Sequence, residues 1–113
     1  MATFAELAGA KMPEGRDSIS FAPTLLGRGH QSNHPYLYWE FYEGGVSQAV
    51  LLGGRWKGIR AADTEAIQLF DLSNDIGEQT NIASDNPEVV DRIKEMMRTA
   101  HVDNEHWKLT IRQ

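Results

Sequence analysis

The stretch "YLYWEFYEGGVSQAVLLGGRWKGIR", residues 36–60, decides the fold prediction for this chain. In its first part apolar and polar residues alternate with a period of two, which is typical of a β-strand. The glycine pairs at 44–45 and 53–54 tolerate positive φ and therefore favour tight turns between strands. We predict three antiparallel strands from this stretch, at residues 36–42, 48–52 and 56–60.

The first predicted strand has two different faces. Leu37, Trp39 and Phe41 share one face, and Tyr36, Tyr38, Glu40 and Tyr42 share the other. Because a tyrosine hydroxyl requires a polar partner when it is buried, we predict that the first face turns toward the core. The tyrosine face is then the candidate surface for a partner or a ligand.

The remaining elements predict an α+β fold. Residues 67–72 form a fourth apolar run after a polar link, which completes a four-stranded antiparallel meander. Helix start signals follow, with Asn86 as the N-cap and Pro87 at the first helical position. The helix carries one apolar stripe, formed by Val89, Val90, Ile93, Met96, Met97 and Ala100. An amphipathic C-terminal helix of this kind is expected to cover one face of the sheet.

Short helical segments are predicted before the sheet. Residues 2–10 place Phe4, Leu7 and Ala8 on one stripe that needs a docking surface. A second turn is expected near Pro23, with Gly27 as its stop. We therefore assign residues 1–35 to a junction segment and residues 36–113 to the main subdomain, within one structural domain overall. The tail "HWKLTIR" alternates like an edge strand or a segment wrapped along the core.

Composition excludes several function classes. The chain of 113 residues has a formal net charge of −5 and no run of Lys or Arg, so a nucleic-acid partner is not expected. No apolar stretch approaches the roughly 20 residues of a membrane span, so no membrane partner is expected either. The absence of cysteine excludes disulfides and a cysteine nucleophile.

Only a few polar residues are candidates for a metal site or for catalysis. His30 and His34 are four residues apart, but the loop composition before Pro35 favours two solvated histidines over a metal site. Glu40 lies between aromatic residues, so its pKa could be raised for acid chemistry or for orienting a sugar hydroxyl. A cross-strand partner such as Lys57 or Arg60 would make it structural instead.

Two acidic residues are explained by local structure. In "DIGE", residues 75–78, Asp75 and Glu78 have the spacing of a capping box, in which each side chain accepts from a backbone N–H of the other's turn. No catalytic set and no metal-ligating cluster emerges from the rest of the chain.

The segment "QLFDLSNDIGEQTNIASDNPEVVDRIKEMM", residues 68–97, resembles the closing segment of arylsulfatase-type (type I) sulfatases of the alkaline-phosphatase-like superfamily. The family pattern there is a hydrophobic-acidic-leucine strand, an Asp-Pro-x-Glu motif, an asparagine and a final helix. The matching residues are Leu69, Phe70, Asp71, Leu72, Asp75, Glu78, Asn81 and Pro87. Residues 36–60 are similar to the family's preceding meander, and residues 2–27 to the junction before it. Ile76 departs from the pattern, since the family has proline at that position.

The resemblance implies that the chain is a C-terminal fragment of a sulfatase, a sulfuric ester hydrolase. Such a subdomain completes the fold and lines the substrate cleft. The family's catalytic parts are a formylglycine made in a Cys/Ser-x-Pro/Ala-x-Arg motif and a calcium ion, both in the large N-terminal domain. No such motif occurs here, so the chain alone is not expected to be an enzyme and holds no cofactor of its own. Met1, directly before a mid-motif helix, favours truncation.

Partners and candidate residues follow from the same resemblance. The expected partners are the missing N-terminal sulfatase domain and, in the parent, a sulfated small molecule or glycan. Self-association is expected if a face that meets the larger domain is exposed, and a parent of this family is expected in the periplasm or secreted. The alternative is a stand-alone glycan-binding or protein-interaction module. The candidate substrate-binding residues are Tyr36, Tyr38, Glu40, Glu43 and Lys57.

Overall fold

The computed structural model describes residues 1–61 and 64–106. The chain divides into two compact units between His34 and Pro35. The predicted tail strand at "HWKLTIR" falls largely outside the described residues, and the assignment of one structural domain overall stays a prediction.

The first unit contains two short helices, α1 (Ala2–Leu7) and α2 (Ala22–Leu26). Pro23 lies in the first turn of α2, and Gly27 ends it in the left-handed region at φ 62°, as the sequence predicts. The Oγ1 of Thr3 accepts a hydrogen bond from the backbone N–H of Phe21 (3.1 Å), which ties the start of α1 to the start of α2.

The apolar stripe of α1, which was expected to need a docking surface, is exposed. Phe4 and Leu7 are exposed, and the buried residues of this helix are Ala2 and Thr3.

The second unit contains an antiparallel meander and one long helix. The strands are β1 (Tyr36–Phe41), β2 (Ser47–Leu52), β3 (Trp56–Arg60) and β4 (Ile67–Asp71), in the order β1-β2-β3-β4. A single 3-10 turn, Ala83–Asp85, precedes the helix α3 (Pro87–Ala100). The α+β prediction is confirmed, and the strand bounds agree with the predicted ones to within one residue.

The core lies between the sheet and α3. Its buried members are Val50, Leu52, Ile67, Leu69, Val89, Ile93 and Met97. The register places Val50 opposite Gly58, and Gly58 opposite Leu69, in one row across the sheet. Alternate residues of β2, β3 and β4 therefore face the helix, and the predicted helical stripe supplies the facing side chains.

The prediction for the two faces of β1 is wrong. Tyr36 and Tyr38 pack against the core, because the register sets them opposite the buried Leu52 and Val50. Leu37, Trp39 and Phe41 point to the other face and remain 38%, 48% and 58% exposed. The tyrosine ring supplies apolar area to the core while its hydroxyl finds a polar partner inside the same unit, so the hydroxyl does not force the strand to turn outward.

The two tryptophans lie on opposite faces of the sheet, as the register shows. Trp56 packs against the core cluster and receives the guanidinium of Arg55 at 4.4 Å from its ring centre. Trp39 is on the exposed face of the sheet.

The segment between β4 and α3 contains no capping box. Asp75 accepts hydrogen bonds from the backbone N–H groups of Gln79 (2.9 Å) and Thr80 (2.8 Å), as an acceptor at a turn does. Glu78 adopts φ 53° and pairs with Lys57 instead of reaching back. No helix begins at this point, so the capping-box prediction is wrong.

Candidate functional site

A set of hydrogen-bonded polar side chains lies at the end of β1 on the helix-facing side of the sheet. We call it the Glu40 cluster, and its members are Tyr38, Glu40, Tyr42, Gln48, Arg60, His101 and Asp103. Three strands and the segment after α3 contribute to it. Its position follows from the register, because Glu40 is opposite Gln48 and Gln48 is opposite Arg60.

Glu40 is the centre of the cluster. Its Oε1 accepts the hydroxyl of Tyr38 and lies 2.5 Å from Nδ1 of His101. Its Oε2 accepts the hydroxyl of Tyr42 at 2.7 Å. With its side chain only 18% exposed, this carboxylate is enclosed by donors on both oxygens.

Gln48 connects the centre to β3. Its side chain is almost fully buried, and its amide nitrogen donates to the Tyr38 hydroxyl oxygen at 2.6 Å. Its amide oxygen accepts from the guanidinium of Arg60. A continuous chain of donors therefore runs from Arg60 through Gln48 and Tyr38 to the Glu40 carboxylate, and such chains polarise one another in a buried setting.

The ionisation of Glu40 follows from these bonds. Burial by itself would raise the pKa of Glu40, but the hydrogen bonds from Tyr38, Tyr42 and His101 favour the anion and the pKa is lowered. Burial, followed by the bond to Glu40, raises the pKa of Tyr38, and the bond to Glu40 raises the pKa of Tyr42 to about 12. The cluster thus holds an ionised carboxylate between two protonated phenols.

Two interpretations of Glu40 made from the sequence are corrected by this geometry. Its pKa is lowered rather than raised, so it is not poised as a general acid. Its partners are tyrosines and a histidine, whereas Lys57 pairs with Glu78 and Arg60 binds Gln48. The expectation of a structural, partnered Glu40 holds, with different partners from those named.

The five predicted substrate-binding residues do not meet in one place. Tyr36 packs on the core, and Tyr38 and Glu40 belong to the Glu40 cluster. Glu43 is exposed in the turn between β1 and β2. Lys57 lies on the opposite face of the sheet from Gly58 and α3, in an ion pair with Glu78.

One open depression borders the cluster. It has a volume of about 350 Å³ and is lined by Glu40, Phe41, Tyr42 and Glu43. Phe41 offers an exposed ring there, and Glu43 is the predicted substrate-binding residue that is both exposed and part of this wall.

His101 is a member of the Glu40 cluster that sequence reasoning did not single out. It follows α3 and is 61 positions from Glu40 along the chain, so no local spacing links the two. The signal available in the sequence was weak: a histidine and Asp103 two residues apart, just past the end of an amphipathic helix.

Comparisons with known proteins identify what this subdomain is similar to. A scan against protein-family models gave no match. The chain is 33% identical over 87 residues to the Delta 4,5-hexuronate-2-O-sulfatase of Bacteroides thetaiotaomicron, a match that covers 74% of this chain and 18% of that protein. It is 31% identical over 108 residues to Arylsulfatase K of Xenopus laevis, with 86% of this chain and 20% of that protein covered. The chain belongs to the sulfatase family.

A solved sulfatase structure carries the same fold. A 2-O GAG sulfatase superimposes with a TM-score of 0.63 and 29% sequence identity, covering 91% of this chain and 26% of that one. The chain spans about a fifth of the length of the curated sulfatases it matches, and that fifth is their C-terminal part. The predicted placement as a sulfatase C-terminal subdomain is confirmed.

The described part of this chain contains no set of side chains that could bind the metal ion of a sulfatase. Residues 1–61 and 64–106 contain no group of three or more His, Cys, Asp or Glu side chains arranged to hold a metal ion. His30 and His34 are both exposed in a loop. The described residues do not fit the calcium that sulfatases use. Within the same residues, no helix is long and apolar enough to cross a membrane.

Proposed function

We propose that this chain serves as the C-terminal subdomain of a sulfuric ester hydrolase, where it completes the fold of a larger N-terminal domain and lines the substrate cleft. It does not catalyse alone, and the formylglycine and calcium belong to the N-terminal domain. The observation that supports this most directly is an exposed apolar face of the sheet, in a chain that matches about a fifth of each relative.

That face is the side of β1 formed by Leu37, Trp39 and Phe41, which we call the β1 apolar face. Its three large side chains stand in a row on an edge strand, and each is more than a third exposed. Contiguous exposed apolar patches on a folded unit mark interaction surfaces. Because relatives of this chain carry about four fifths of their length outside the match, the proposed occupant is the larger sulfatase domain.

The depression beside the Glu40 cluster is the proposed contribution to the cleft. Phe41 provides a ring on which a sugar could stack, and the Glu43 carboxylate accepts hydrogen bonds from hydroxyl groups. Because like charges repel, the Glu43 carboxylate disfavours a sulfate group next to it. The depression would therefore contact a hydroxyl-bearing part of a sulfated glycan, away from the ester that is cleaved.

A chimaera tests the proposal. The C-terminal fifth of the hexuronate-2-O-sulfatase from Bacteroides thetaiotaomicron is replaced by this chain, and sulfate release is measured. We expect measurable turnover, and at least about a tenfold loss in the double variant Leu37→Ser, Trp39→Ser, which leaves Phe41 in place, because the larger domain loses its apolar contact. The matched control replaces two exposed apolar residues elsewhere, Ile76→Ser and Val102→Ser, and should retain turnover.

The chimaera also separates the two parts of the proposal. Phe41→Ala with Glu43→Ala should raise KM and leave the folded fraction unchanged if the depression lines the cleft. A folded, active chimaera whose turnover is unchanged by the double serine variant would contradict the docking role. An unchanged KM in the double alanine variant would contradict the cleft role.

Self-association of the isolated chain is a further expectation from the β1 apolar face. With no larger domain present, two copies can bury this face against each other. Light scattering should detect a dimer or larger species, and the double serine variant at Leu37 and Trp39 should be monomeric at the same concentration. If the unmodified chain is monomeric at high concentration, the β1 apolar face does not mediate self-association.

The second candidate is a stand-alone module that binds a glycan, favoured by the exposed Phe41 ring beside Glu43. Calorimetry of the isolated chain with a sulfated disaccharide distinguishes the two. Binding that is abolished by Phe41→Ala and is accompanied by no activity in the chimaera would favour the module over the sulfatase subdomain.

A further inference from the structure

His101 lies where α3 ends, and its ring is clamped between two carboxylates. It is the first residue past the helix and has an extended backbone (φ −67°, ψ 134°). Its Nδ1 is 2.5 Å from Oε1 of Glu40, and its Nε2 is 2.7 Å from Oδ1 of Asp103. The His101 side chain is only 10% exposed and that of Glu40 18%, whereas Asp103 is 77% exposed, so the contact with Glu40 is the one shielded from water.

Counting donors determines the charge of this ring. An ionised carboxylate only accepts hydrogen bonds, and a neutral imidazole carries a single N–H. Both contacts of His101 can be hydrogen bonds only when both ring nitrogens are protonated. Glu40 cannot turn away without cost, because the hydroxyls of Tyr38 and Tyr42 also hold its oxygens.

We propose that His101 is a proton-operated latch, which holds the segment after α3 to the end of β1 while both ring nitrogens are protonated and releases it when one proton is lost. The latch joins parts of the chain 61 residues apart. Because Glu40 and Tyr42 also line the open depression, opening the latch changes the wall of that depression. The latch depends only on the described contacts and not on the sulfatase proposal.

The groups that surround the ring set the pH range of the latch. Among the residues that the structure describes, Asp103 on its own segment and Glu40 on β1 are the charged groups in contact with the ring, and Tyr42 is a phenol bonded to Glu40. On β2 and β3, Gln48 and Arg60 reach the ring only through Tyr38 and Glu40. The bond to Asp103, followed by the bond to Glu40, raises the pKa of His101 above its ordinary value of 6.5 despite burial.

The sign of the pH dependence follows from linkage. A histidine whose pKa is raised by folding stabilises the folded state fully below its unfolded pKa, and the stabilisation is lost as the pH rises through the folded pKa. Glu40, whose pKa is lowered by folding, stabilises the folded state at pH values above its ordinary pKa of 4.5. This stabilisation is lost as the pH falls through the folded pKa of Glu40. The latch is therefore closed from mildly acidic pH up to the folded pKa of His101.

Nuclear magnetic resonance of the full chain labelled with 15N tests the latch. Long-range proton–nitrogen spectra report whether each ring nitrogen of His101 carries a proton, and heteronuclear relaxation reports the order of residues 102–106. We expect both nitrogens to be protonated at pH 6, a titration midpoint above about 6.5, and loss of order in 102–106 across the same midpoint.

Two variants give the test its specificity. His101→Gln keeps a polar side chain but cannot donate to two carboxylates, so 102–106 should be disordered at both pH 6 and pH 9. His106→Gln is the matched control, because within residues 1–61 and 64–106 its ring pairs with the exposed Glu105 at 3.1 Å and is itself 75% exposed. The transition of this variant should be that of the unmodified chain. The latch would be overturned by a titration midpoint of His101 at or below about 6.5. It would equally be overturned if the order of residues 102–106 did not change as His101 titrates.

Discussion

Replacing Gly58 by valine is expected to abolish the folded state of the second unit, and replacing it by alanine to lower the free energy of unfolding by about 1–3 kcal/mol. A Cβ at this position would lie 2.6 Å from Cγ2 and 3.0 Å from Cδ1 of Ile93, and 3.3 Å from Cγ2 of Ile67. Ile93 is fully buried, and a β-branched side chain in a helix has essentially one rotamer. The clash can be relieved only if α3 moves off the sheet.

The matched control for this prediction is Gly77→Ala. A Cβ at Gly77 would meet only the end of the Gln79 side chain, at 3.2 Å from Nε2, and that side chain can move. Urea unfolding followed by circular dichroism should therefore give Gly77→Ala within about 0.5 kcal/mol of the parent. Equal stability losses at Gly58 and Gly77 would contradict the close approach of α3.

A double variant locates the clash. Ile93→Ala removes both atoms that a Cβ at Gly58 would strike, at its own cost of about 2–5 kcal/mol for the cavity. Since the two residues are in contact, their effects should not add. The loss in the variant with Gly58→Ala and Ile93→Ala together should be smaller than the sum of the single losses.

The elements of this fold were predictable from local signals. The glycine pairs at 44–45 and 53–54 mark the two turns, and Pro87 marks the start of α3. Each signal acts over a few residues, because φ tolerance, a missing N–H and a period of two or 3.6 are properties of neighbouring positions. The sulfatase resemblance carried by residues 36–97 was equally a matter of order and spacing along the chain.

The orientation of β1 was not predictable in the same way. Both of its faces carry large side chains, so the period identifies a strand but not its inner side. The deciding fact is the register, which sets Tyr38 opposite Val50 beneath α3. The Tyr38 hydroxyl is satisfied by Glu40 and Gln48, and such a nonlocal partner cannot be read from the sequence of one strand.

The candidate site shows the same limit. Tyr38 and Glu40 were singled out correctly as a pair on one face, since alternate residues of a strand share a side. Their partner His101 comes from the far end of α3, and Lys57 is taken by Glu78 from the loop after β4. Contacts of this range depend on how α3 and the loops fold back over the sheet, which residue types alone do not specify.

Leu69→Ala is expected to lower the free energy of unfolding by about 2–5 kcal/mol, whereas Leu37→Ala should stay within about 1 kcal/mol of the parent. Leu69 is fully buried between the sheet and α3, so alanine leaves a cavity that the packed neighbours cannot fill. Leu37 is the same residue type in the same sheet, but it is 38% exposed on the other face. Urea unfolding of both variants, monitored by circular dichroism at a low concentration where self-association is absent, compares them directly.

This pair of leucines tests which face of β1 is inside. If Leu37→Ala cost as much as Leu69→Ala, the Leu37, Trp39 and Phe41 side would be packed within the unit, as the pattern alone had predicted. The β1 apolar face would then be unavailable to a larger sulfatase domain, and the proposed docking role would fail with it. If only Leu69→Ala causes a large loss of unfolding free energy, the β1 apolar face is not packed within the isolated unit. A side chain such as Leu37, which contributes little to the stability of this unit alone, can still be buried when the larger sulfatase domain is present.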